Sequence, residues 1–146
     1  MAEIVDDEAM SPFMDVSVEE FKKRNNLNVE AMAAMKSTMK SYGPTKVQDV
    51  PLNWDWVEQG AVSHVKNQGQ CGSCWAFSTV ANVEGQNFIK NGKMETFSEQ
   101  QLVDCDRKFD QGCNGGLQQY TFDYIEGKGI MPDMYYTYTG TDDVGD

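Results

Sequence analysis

The clearest pattern along the chain is a helical repeat that follows Gly72-Ser73. Its inward positions recur at steps of three and four residues: Phe77, Val80, Ala81, Glu84 and Phe88. This spacing predicts a helix from Cys74 to about Lys90 that is largely apolar on one side. The pair Asn91-Gly92 ends it, because a glycine at this place favours a helix C-terminus.

Two capping boxes predict shorter helices. In Ser17-Val18-Glu19-Glu20, the first and last side chains can each accept a hydrogen bond from the other residue's N–H. This box predicts a helix from about Val18 to Arg24, with acids early and bases late, as the helix dipole prefers. Ser98-Glu99-Gln100-Gln101 has the same pattern and predicts a short helix through Asp104.

A further helix is predicted from Leu117 to Glu126, with Gly127 as its terminator. Its candidates for burial are aromatic or aliphatic: Tyr120, Phe122, Tyr124 and Ile125. The loop before it, Gly112-Cys113-Asn114-Gly115-Gly116, is rich in residues that tolerate positive φ. Together these elements predict a mainly α fold.

Residues 1–50 differ in composition from residues 51–146, because they begin acidic and then become rich in methionine. Between Val29 and Lys40 the sparse apolar face leaves a weak helix and an extended linker equally open. We place a domain boundary near Val50-Pro51. The chain is long enough for one core, which we expect in residues 51–146.

The charge balance limits the classes of partner. With 23 acidic and 12 basic residues the net charge is −11, which repels phosphate backbones and anionic bilayers. We expect neither a nucleic acid nor a membrane as partner, since no apolar run approaches the roughly 20 residues of a membrane-spanning helix. Residues 1–8 lack the basic and apolar regions of a signal peptide, which favours a cytoplasmic or assembly-bound protein.

One run carries the candidate chemistry: Gln68-Gly69-Gln70-Cys71-Gly72-Ser73-Cys74-Trp75-Ala76-Phe77-Ser78. A thiolate attacks carbonyl carbon, and Cys74 falls at the first turn of the predicted long helix, where unpaired N–H groups favour negative charge. The Cys74 N–H and the Gln68 side-chain amide are candidates to hold the resulting oxyanion. Gly69 and Gly72 let the loop fold back tightly enough to bring these two donors together.

A cysteine nucleophile normally needs a general base beside it. The only histidine is His64, ten residues before Cys74, and it should enter the loop from the far side of the helix. No histidine follows Cys74. We therefore expect His64 to be a surface or packing residue, and the isolated chain to turn over hardly at all.

The four cysteines allow other roles. A Cys71-x-x-Cys74 redox pair is disfavoured because no βαβ pattern surrounds it, and a zinc site because seven residues separate Cys105 from Cys113. We expect no metal and no cofactor. If Cys74 is a nucleophile, three cysteines remain, so either a partner lies outside this sequence or none of the four is bridged.

Several motifs, in order, resemble the papain family of cysteine peptidases, most closely its cathepsin L-like branch. Cys-Gly-Ser-Cys-Trp is the local signature of the nucleophile in that family. The similarity runs from about Val50 to Gly140. Besides the run above it is carried by these segments: Pro51-Leu52-Asn53-Trp54-Asp55-Trp56, Gly60-Ala61-Val62, Val65-Lys66-Asn67-Gln68-Gly69, Ser98-Glu99-Gln100-Gln101-Leu102-Val103-Asp104-Cys105 and Gly112-Cys113-Asn114-Gly115-Gly116-Leu117.

The resemblance implies a cysteine-type endopeptidase and assigns roles to residues of this sequence. Cys74 is the nucleophile and Gln68 the oxyanion donor. Gly115-Gly116 pair with the backbone of a peptide substrate. Leu117-Gln118 help to form the pocket for the second residue before the scissile bond.

Two further cysteine roles follow from the resemblance alone. Cys71 should bridge to Cys113. Cys105 matches a family cysteine whose partner comes shortly after a Tyr-x-Tyr segment, here Tyr136-Thr137-Tyr138. No cysteine follows that segment in this sequence, so Cys105 is expected to be an orphan.

The resemblance also implies an architecture. Residues 51–146 would be the helical left lobe of a two-lobed α+β fold, and the β-barrel lobe, with its His and Asn, would lie beyond the last residue. Residues 1–50 would hold a partial inhibitory pro-segment, marked by Phe13-x-Asp15 and Glu19-Glu20-Phe21-Lys22. The face where the barrel lobe packs would need cover from that C-terminal lobe or from another protein. Family members imply a lysosomal, vacuolar or extracellular location.

Three functions are left open by the sequence. The first is a papain-like peptidase present as an incomplete chain that is inactive alone. The second is a catalytically dead homologue that serves as a structural or interaction component of a larger assembly. The third is an inhibitor that uses the pro-segment remnant to block intact relatives.

Overall fold

The protein is described by a computed structural model for residues 15–24, 33, 43 and 51–142. Four α-helices have their bounds within these ranges: α1 (Val18–Arg24), α2 (Cys74–Asn91), α3 (Glu99–Cys105) and α4 (Gln118–Lys128); Ala33 is also helical. Two 3₁₀ helices, Gly112–Asn114 and Asp133–Tyr135, flank α4. The described residues contain no strand, only an isolated antiparallel bridge between Phe97 and Pro132. The predicted mainly α fold is confirmed.

Helix α1 begins where its capping box predicts. Ser17 Oγ accepts a hydrogen bond from the Glu20 N–H at 3.2 Å, and Glu20 Oε2 accepts one from the Ser17 N–H at 3.0 Å. The predicted range Val18 to Arg24 is confirmed. The predictions for Val29–Lys40, except Ala33, and those for Phe13 and the boundary near residue 50 lie outside the described residues.

Helix α2 has the predicted length to within one residue, since it ends at Asn91. Gly92 follows it in the left-handed conformation, with φ of 72°, and its N–H donates to the carbonyl oxygen of Phe88 at 2.7 Å. A glycine adopts this backbone at little cost, which is why the helix ends here.

The buried face of α2 differs from the prediction. Its buried residues are Trp75, Ala76, Thr79, Val80 and Glu84. Ala81, predicted to face inward, is exposed, and Phe77 and Phe88 are only half-buried. The prediction held for Val80 and Glu84 but left out Thr79, whose hydroxyl satisfies its hydrogen bond in the buried position by donating to the Trp75 carbonyl oxygen at 2.9 Å.

Helix α3 begins at its predicted cap, but only one of the two hydrogen bonds of the capping box forms. Ser98 Oγ accepts a hydrogen bond from the Gln101 N–H at 3.0 Å. The Gln101 side chain does not return to Ser98, because its Oε1 accepts the Met131 N–H at 2.7 Å instead. This bond ties the chain after α4 to α3, whose Leu102 and Val103 are wholly buried.

The prediction that Gly127 ends the last helix was wrong. Helix α4 runs through Gly127 to Lys128, and Gly129, with φ of 79°, ends it while its N–H donates to the Ile125 carbonyl oxygen at 2.8 Å. A glycine within a helix costs only about 1 kcal/mol, so it does not by itself stop one. Of the four candidates for burial, Tyr124 and Ile125 pack against the core and Phe122 is exposed, while the one fully buried residue of α4 is Thr121.

The core lies among α2, α3 and the disulfide-bearing loops. Its buried members are Cys71, Trp75, Ala76, Val80, Phe97, Leu102 and Val103. Tyr124 and Ile125 of α4 pack against this cluster while staying partly exposed. Helix α2 therefore reaches the core at its first turn, directly beside Cys74.

Lys66 joins the loop before α2 to both central helices. Its Nζ lies 2.7 Å from Glu84 Oε1 of α2 and 2.6 Å from Glu99 Oε1 of α3. The two carboxylate side chains are only 1% and 2% exposed, so each depends on Lys66 for a counter-charge. Ser63 Oγ and the Phe97 N–H also donate to Glu84, at 2.6 and 3.0 Å.

The ionisation of this cluster follows from its burial and its pairing. Burial by itself would lower the pKa of Lys66, but the hydrogen bonds to Glu84 and Glu99 raise that pKa above its ordinary value. Burial raises the pKa of Glu99, and the Lys66 bond opposes part of that rise. The lysine therefore stays charged at neutral pH.

We predict that Lys66→Met lowers the free energy of unfolding by about 3–5 kcal/mol at neutral pH, because two buried carboxylates lose their cation. The measurement is denaturant unfolding of the chain followed by circular dichroism. Lys90→Met, at an exposed position of α2, is the matched control and should change the value by less than about 0.5 kcal/mol. Equal effects of the two substitutions would contradict this assignment.

We also predict opposite effects of alanine at the two glycines near the end of α4. Apart from its chain neighbours and the adjacent helix backbone, neither glycine has an atom within 4 Å of the position that a Cβ would take, so backbone conformation distinguishes them. Gly127→Ala should stabilise by about 0.5–1 kcal/mol, and Gly129→Ala should destabilise by about 1–3 kcal/mol. Thermal unfolding of both variants measures this, and effects of the same sign would place the helix end elsewhere.

Candidate active site

Cys74 is the first residue of α2, and its thiol is unbridged and partly exposed. The Ser73 carbonyl oxygen accepts the N–H groups of Ala76 and Phe77, at 2.9 and 3.1 Å. Within the described residues no acceptor takes the Cys74 N–H, and Ser73 gives no side-chain cap. The sulfur and a free backbone donor therefore lie together at the start of the helix.

Trp75 fixes the first turn of α2 against the loop that contains Gly112 and Gly116. Its side chain is fully buried, and its Nε1–H donates to the Gly112 carbonyl oxygen at 3.1 Å. A Cβ at Gly116 would lie 2.7 Å from the indole, so only glycine lets the loop approach this closely. The residue next to the sulfur thus sets the distance between Cys74 and this loop.

A disulfide joins Cys71 to Cys113, with a Cα–Cα distance of 4.6 Å. This is the pairing that the resemblance implies. The Gly72 N–H donates to the Cys113 carbonyl oxygen at 2.9 Å, so a hydrogen bond accompanies the covalent link. Two links, one covalent and one a hydrogen bond, therefore join the loop before Cys74 to the Gly112–Asn114 turn.

Gln68 lies in the loop before Cys74, and its Nε2 donates to the Cys71 carbonyl oxygen at 2.9 Å. A primary amide nitrogen carries two hydrogens, so one of them is left for another acceptor. Gly69 follows with φ of 63° and donates its N–H to Asn67 Oδ1 at 2.9 Å, which closes the turn. The oxyanion role of Gln68 remains a prediction.

Tyr138 is a site residue that the sequence reasoning missed. Its hydroxyl donates to the Gln68 carbonyl oxygen at 2.7 Å and lies 2.7 Å from Ser73 Oγ. Its ring packs edge-on against Phe77, with centroids 4.8 Å apart. The signal in the sequence is the Tyr-x-Tyr motif, from which the resemblance predicts only the position of a cysteine partner for Cys105.

The predicted substrate segment, Gly115 to Gln118, lies beside this loop. The Gly115 carbonyl oxygen accepts the Gln111 N–H at 2.9 Å, and the Leu117 N–H donates to Asp110 Oδ1 at 2.7 Å. The Leu117 side chain is 5% exposed, so it is buried in this structure. Gln118 Nε2 donates to Ser78 Oγ at 3.0 Å, which places it one helical turn from Cys74. The substrate roles remain predictions.

His64 lies in a different place from the thiol. It is exposed, and within the described residues no hydrogen bond joins it to Cys74. It lines a cavity of about 280 Å³, along with Lys66, Glu99 and Tyr138, and Cys74 is not part of that lining. The described residues therefore provide no imidazole to the sulfur.

Cys105, the last residue of α3, is exposed and unbridged. In the described part of the chain no group of three His, Cys, Asp or Glu side chains is placed to hold a metal ion. Among the helices just described, none combines the length and the apolar character needed to cross a bilayer.

Comparison with known sequences agrees with this geometry. Residues 50–145 match the family model described as papain family cysteine protease. Cysteine protease XCP2 of Arabidopsis thaliana is 46% identical over 134 residues, which cover 89% of this chain and 37% of that protein. Vignain of Vigna mungo is 56% identical over 95 residues, 64% of this chain and 26% of that protein. The chain thus spans well under half the length of these relatives.

Solved structures give the same result. The proform of Amb a 11, a cysteine protease and ragweed pollen allergen, matches with a TM-score of 0.75 and 38% identity over 94% of this chain and 44% of that one. The Carica candamarcensis cysteine protease CMS1MS2, in complex with E-64, matches with a TM-score of 0.61 and 48% identity over 63% of this chain and 43% of that one. With its Cys-Gly-Ser-Cys-Trp motif at the start of a helix, the chain belongs to the papain family of cysteine proteases and its relatives are of the cathepsin L-like type.

Proposed function

We propose that residues 51–146 form the nucleophile-bearing helical lobe of a cysteine-type endopeptidase. The observation that carries the proposal is the placement of Cys74, an unbridged and partly exposed thiol at the first residue of α2. Its neighbour Trp75 is fully buried, so the sulfur has a fixed position beside the predicted substrate segment. Family membership supports the same chemistry.

The proposed reaction breaks a peptide bond in two stages. The Cys74 sulfur attacks the carbonyl carbon, and the free Cys74 N–H and the second hydrogen of Gln68 Nε2 bind the oxyanion. The leaving nitrogen takes a proton and departs as an amine, which leaves an acyl group on the sulfur. Water then hydrolyses this thioester and restores the thiol.

Both proton transfers need a general base that the described residues do not bring to Cys74. His64 is the only histidine of the sequence, and it lines a different cavity. We propose that the imidazole comes from outside these 146 residues, in the same polypeptide or in a partner chain. Val65 lines that cavity and is 98% exposed. The lobe that supplies the imidazole would cover this apolar side chain.

For residues 1–50 we propose a remnant of an inhibitory pro-segment. The match to the Arabidopsis thaliana relative covers 134 residues, and only 96 residues lie between 51 and 146, so it extends into the first 50. Helix α1 follows Asp15, and its complete capping box gives this short segment a defined start.

The proposed function predicts that Cys74 reacts when an imidazole-bearing lobe is supplied. The chain carrying Cys105→Ser, which removes the exposed thiol, would be co-expressed with the part of the Arabidopsis thaliana relative that lies beyond the match. We expect labelling by an epoxide inhibitor and peptide hydrolysis to rise by at least about 100-fold over the chain alone.

Two control variants sharpen this experiment. Cys74→Ala should abolish labelling and hydrolysis, and His64→Ala should change neither. Robust hydrolysis by the chain alone that His64→Ala removes would assign the base to His64 and contradict the proposal. An inert Cys74 in a stable, folded complex would also contradict it, and would favour the structural or interaction role.

A further inference from the structure

Two buried carboxyl groups lie in the loop between α3 and the first 3₁₀ helix. Asp106 and Asp110 are each 3% exposed, and each lies within hydrogen-bonding reach of the other. Asp106 Oδ2 has no hydrogen-bond partner among the described residues. Two carboxylates are both acceptors, so they can bond only when one of them holds a proton.

The surroundings of this pair favour a retained proton. Burial, then the bond to Asp110, then the charges of Asp110 and Asp123 raise the pKa of Asp106 to about 7. Burial also raises the pKa of Asp110, although its bonds from Leu117, Asp106 and Thr121 oppose the rise. From α4 the ionisable groups near Asp106 are Asp123 and Tyr124, and neither is a cation. The α2 residue that lies against the adjoining Gly116 is Trp75, which carries no charge.

Asp110 also contacts the Gly115–Leu117 segment directly. Its Oδ1 accepts the Leu117 N–H at 2.7 Å, and its Oδ2 accepts the Thr121 hydroxyl at 3.3 Å. A Cβ at Gly116 would lie 2.5 Å from Asp110 Oδ1, so the carboxyl is in direct contact with the backbone there. Movement of Asp110 would therefore move this segment.

We propose that Asp110 is a positioning residue for the Gly115–Leu117 segment, and that the proton it shares with Asp106 makes the order of this segment depend on pH. With one proton present, a hydrogen bond holds the two carboxyl groups together. Without it, two adjacent negative charges repel each other in a buried site where no salt bridge to a described cation offsets them, and the segment loosens. The inference relies on the proposed function only in assigning this segment to substrate.

The direction of the pH effect follows from the raised pKa. Between about pH 4, where an unfolded Asp titrates, and about pH 7, this pair binds more protons in the folded chain than in the unfolded chain. The contribution of the pair to stability therefore falls as pH rises through this window and levels off above it. The segment should be most ordered in mildly acidic solution.

The test is amide hydrogen exchange of Leu117 in the full chain, measured by NMR and expressed as a protection factor to remove the intrinsic pH effect. Between about pH 5.5 and about pH 8, we expect protection in the native chain to fall by at least about tenfold. Asp110→Asn keeps an acceptor for Leu117 and an N–H donor for Asp106. In this variant the protection of the Leu117 amide should therefore differ by less than about twofold between the two pH values. Asp123→Asn, at an exposed acid of α4, is the matched control and should keep most of the native pH dependence.

A carboxyl ¹³C titration of the native chain gives a second readout that needs no variant to fold. A titration step near pH 7 for the pair supports the proposal, and midpoints near pH 4 for both groups would overturn it. Equal protection of Leu117 at both pH values, or an unchanged pH dependence in Asp110→Asn, would also overturn it. Neither readout uses Cys74 or substrate, so a failure of the proposed peptidase reaction would leave this result standing.

Discussion

The contact of the Trp75 indole with the loop from Gly112 to Gly116 is the constraint on which the site depends. Trp75 follows Cys74 in the chain and is fully buried, so its position determines where the first turn of α2 begins. Its hydrogen bond to Gly112 and its close approach to Gly116 join that turn to the loop. The disulfide between Cys71 and Cys113 joins the same two parts of the chain from the other side. Cys74 and the predicted substrate segment are therefore positioned as one unit.

Other polar contacts extend this unit to the rest of the lobe. Lys66 ties the preceding loop to α2 and α3 through two buried carboxylates. Tyr138, from the far end of the described chain, contacts both Gln68 and Ser73 through one hydroxyl. Among the described residues, these contacts bring together the unbridged Cys74 thiol and two candidate oxyanion donors.

Sequence reasoning succeeded where the determinants are local. The start of α1 and the end of α2 follow from a capping box and a glycine in the left-handed conformation, both of which involve neighbouring residues. It failed at α4, because two glycines lie two residues apart and only the three-dimensional backbone tells which one ends the helix. The run around Cys74 was recognisable as a papain-family motif. The support given by Tyr138 was not, because that residue is 70 positions from the atom it binds.

The most direct test of the central constraint is hydrogen exchange at the three indole N–H groups, which NMR resolves separately. Trp54 and Trp56 are 56% and 45% exposed and serve as internal references, whereas Trp75 is buried and bonded to Gly112. We expect the Trp75 indole proton to exchange at least about 100-fold more slowly than the other two. It should also show a nuclear Overhauser effect to the Gly116 α-protons. Equal exchange rates for all three indoles, with no such effect, would contradict the account.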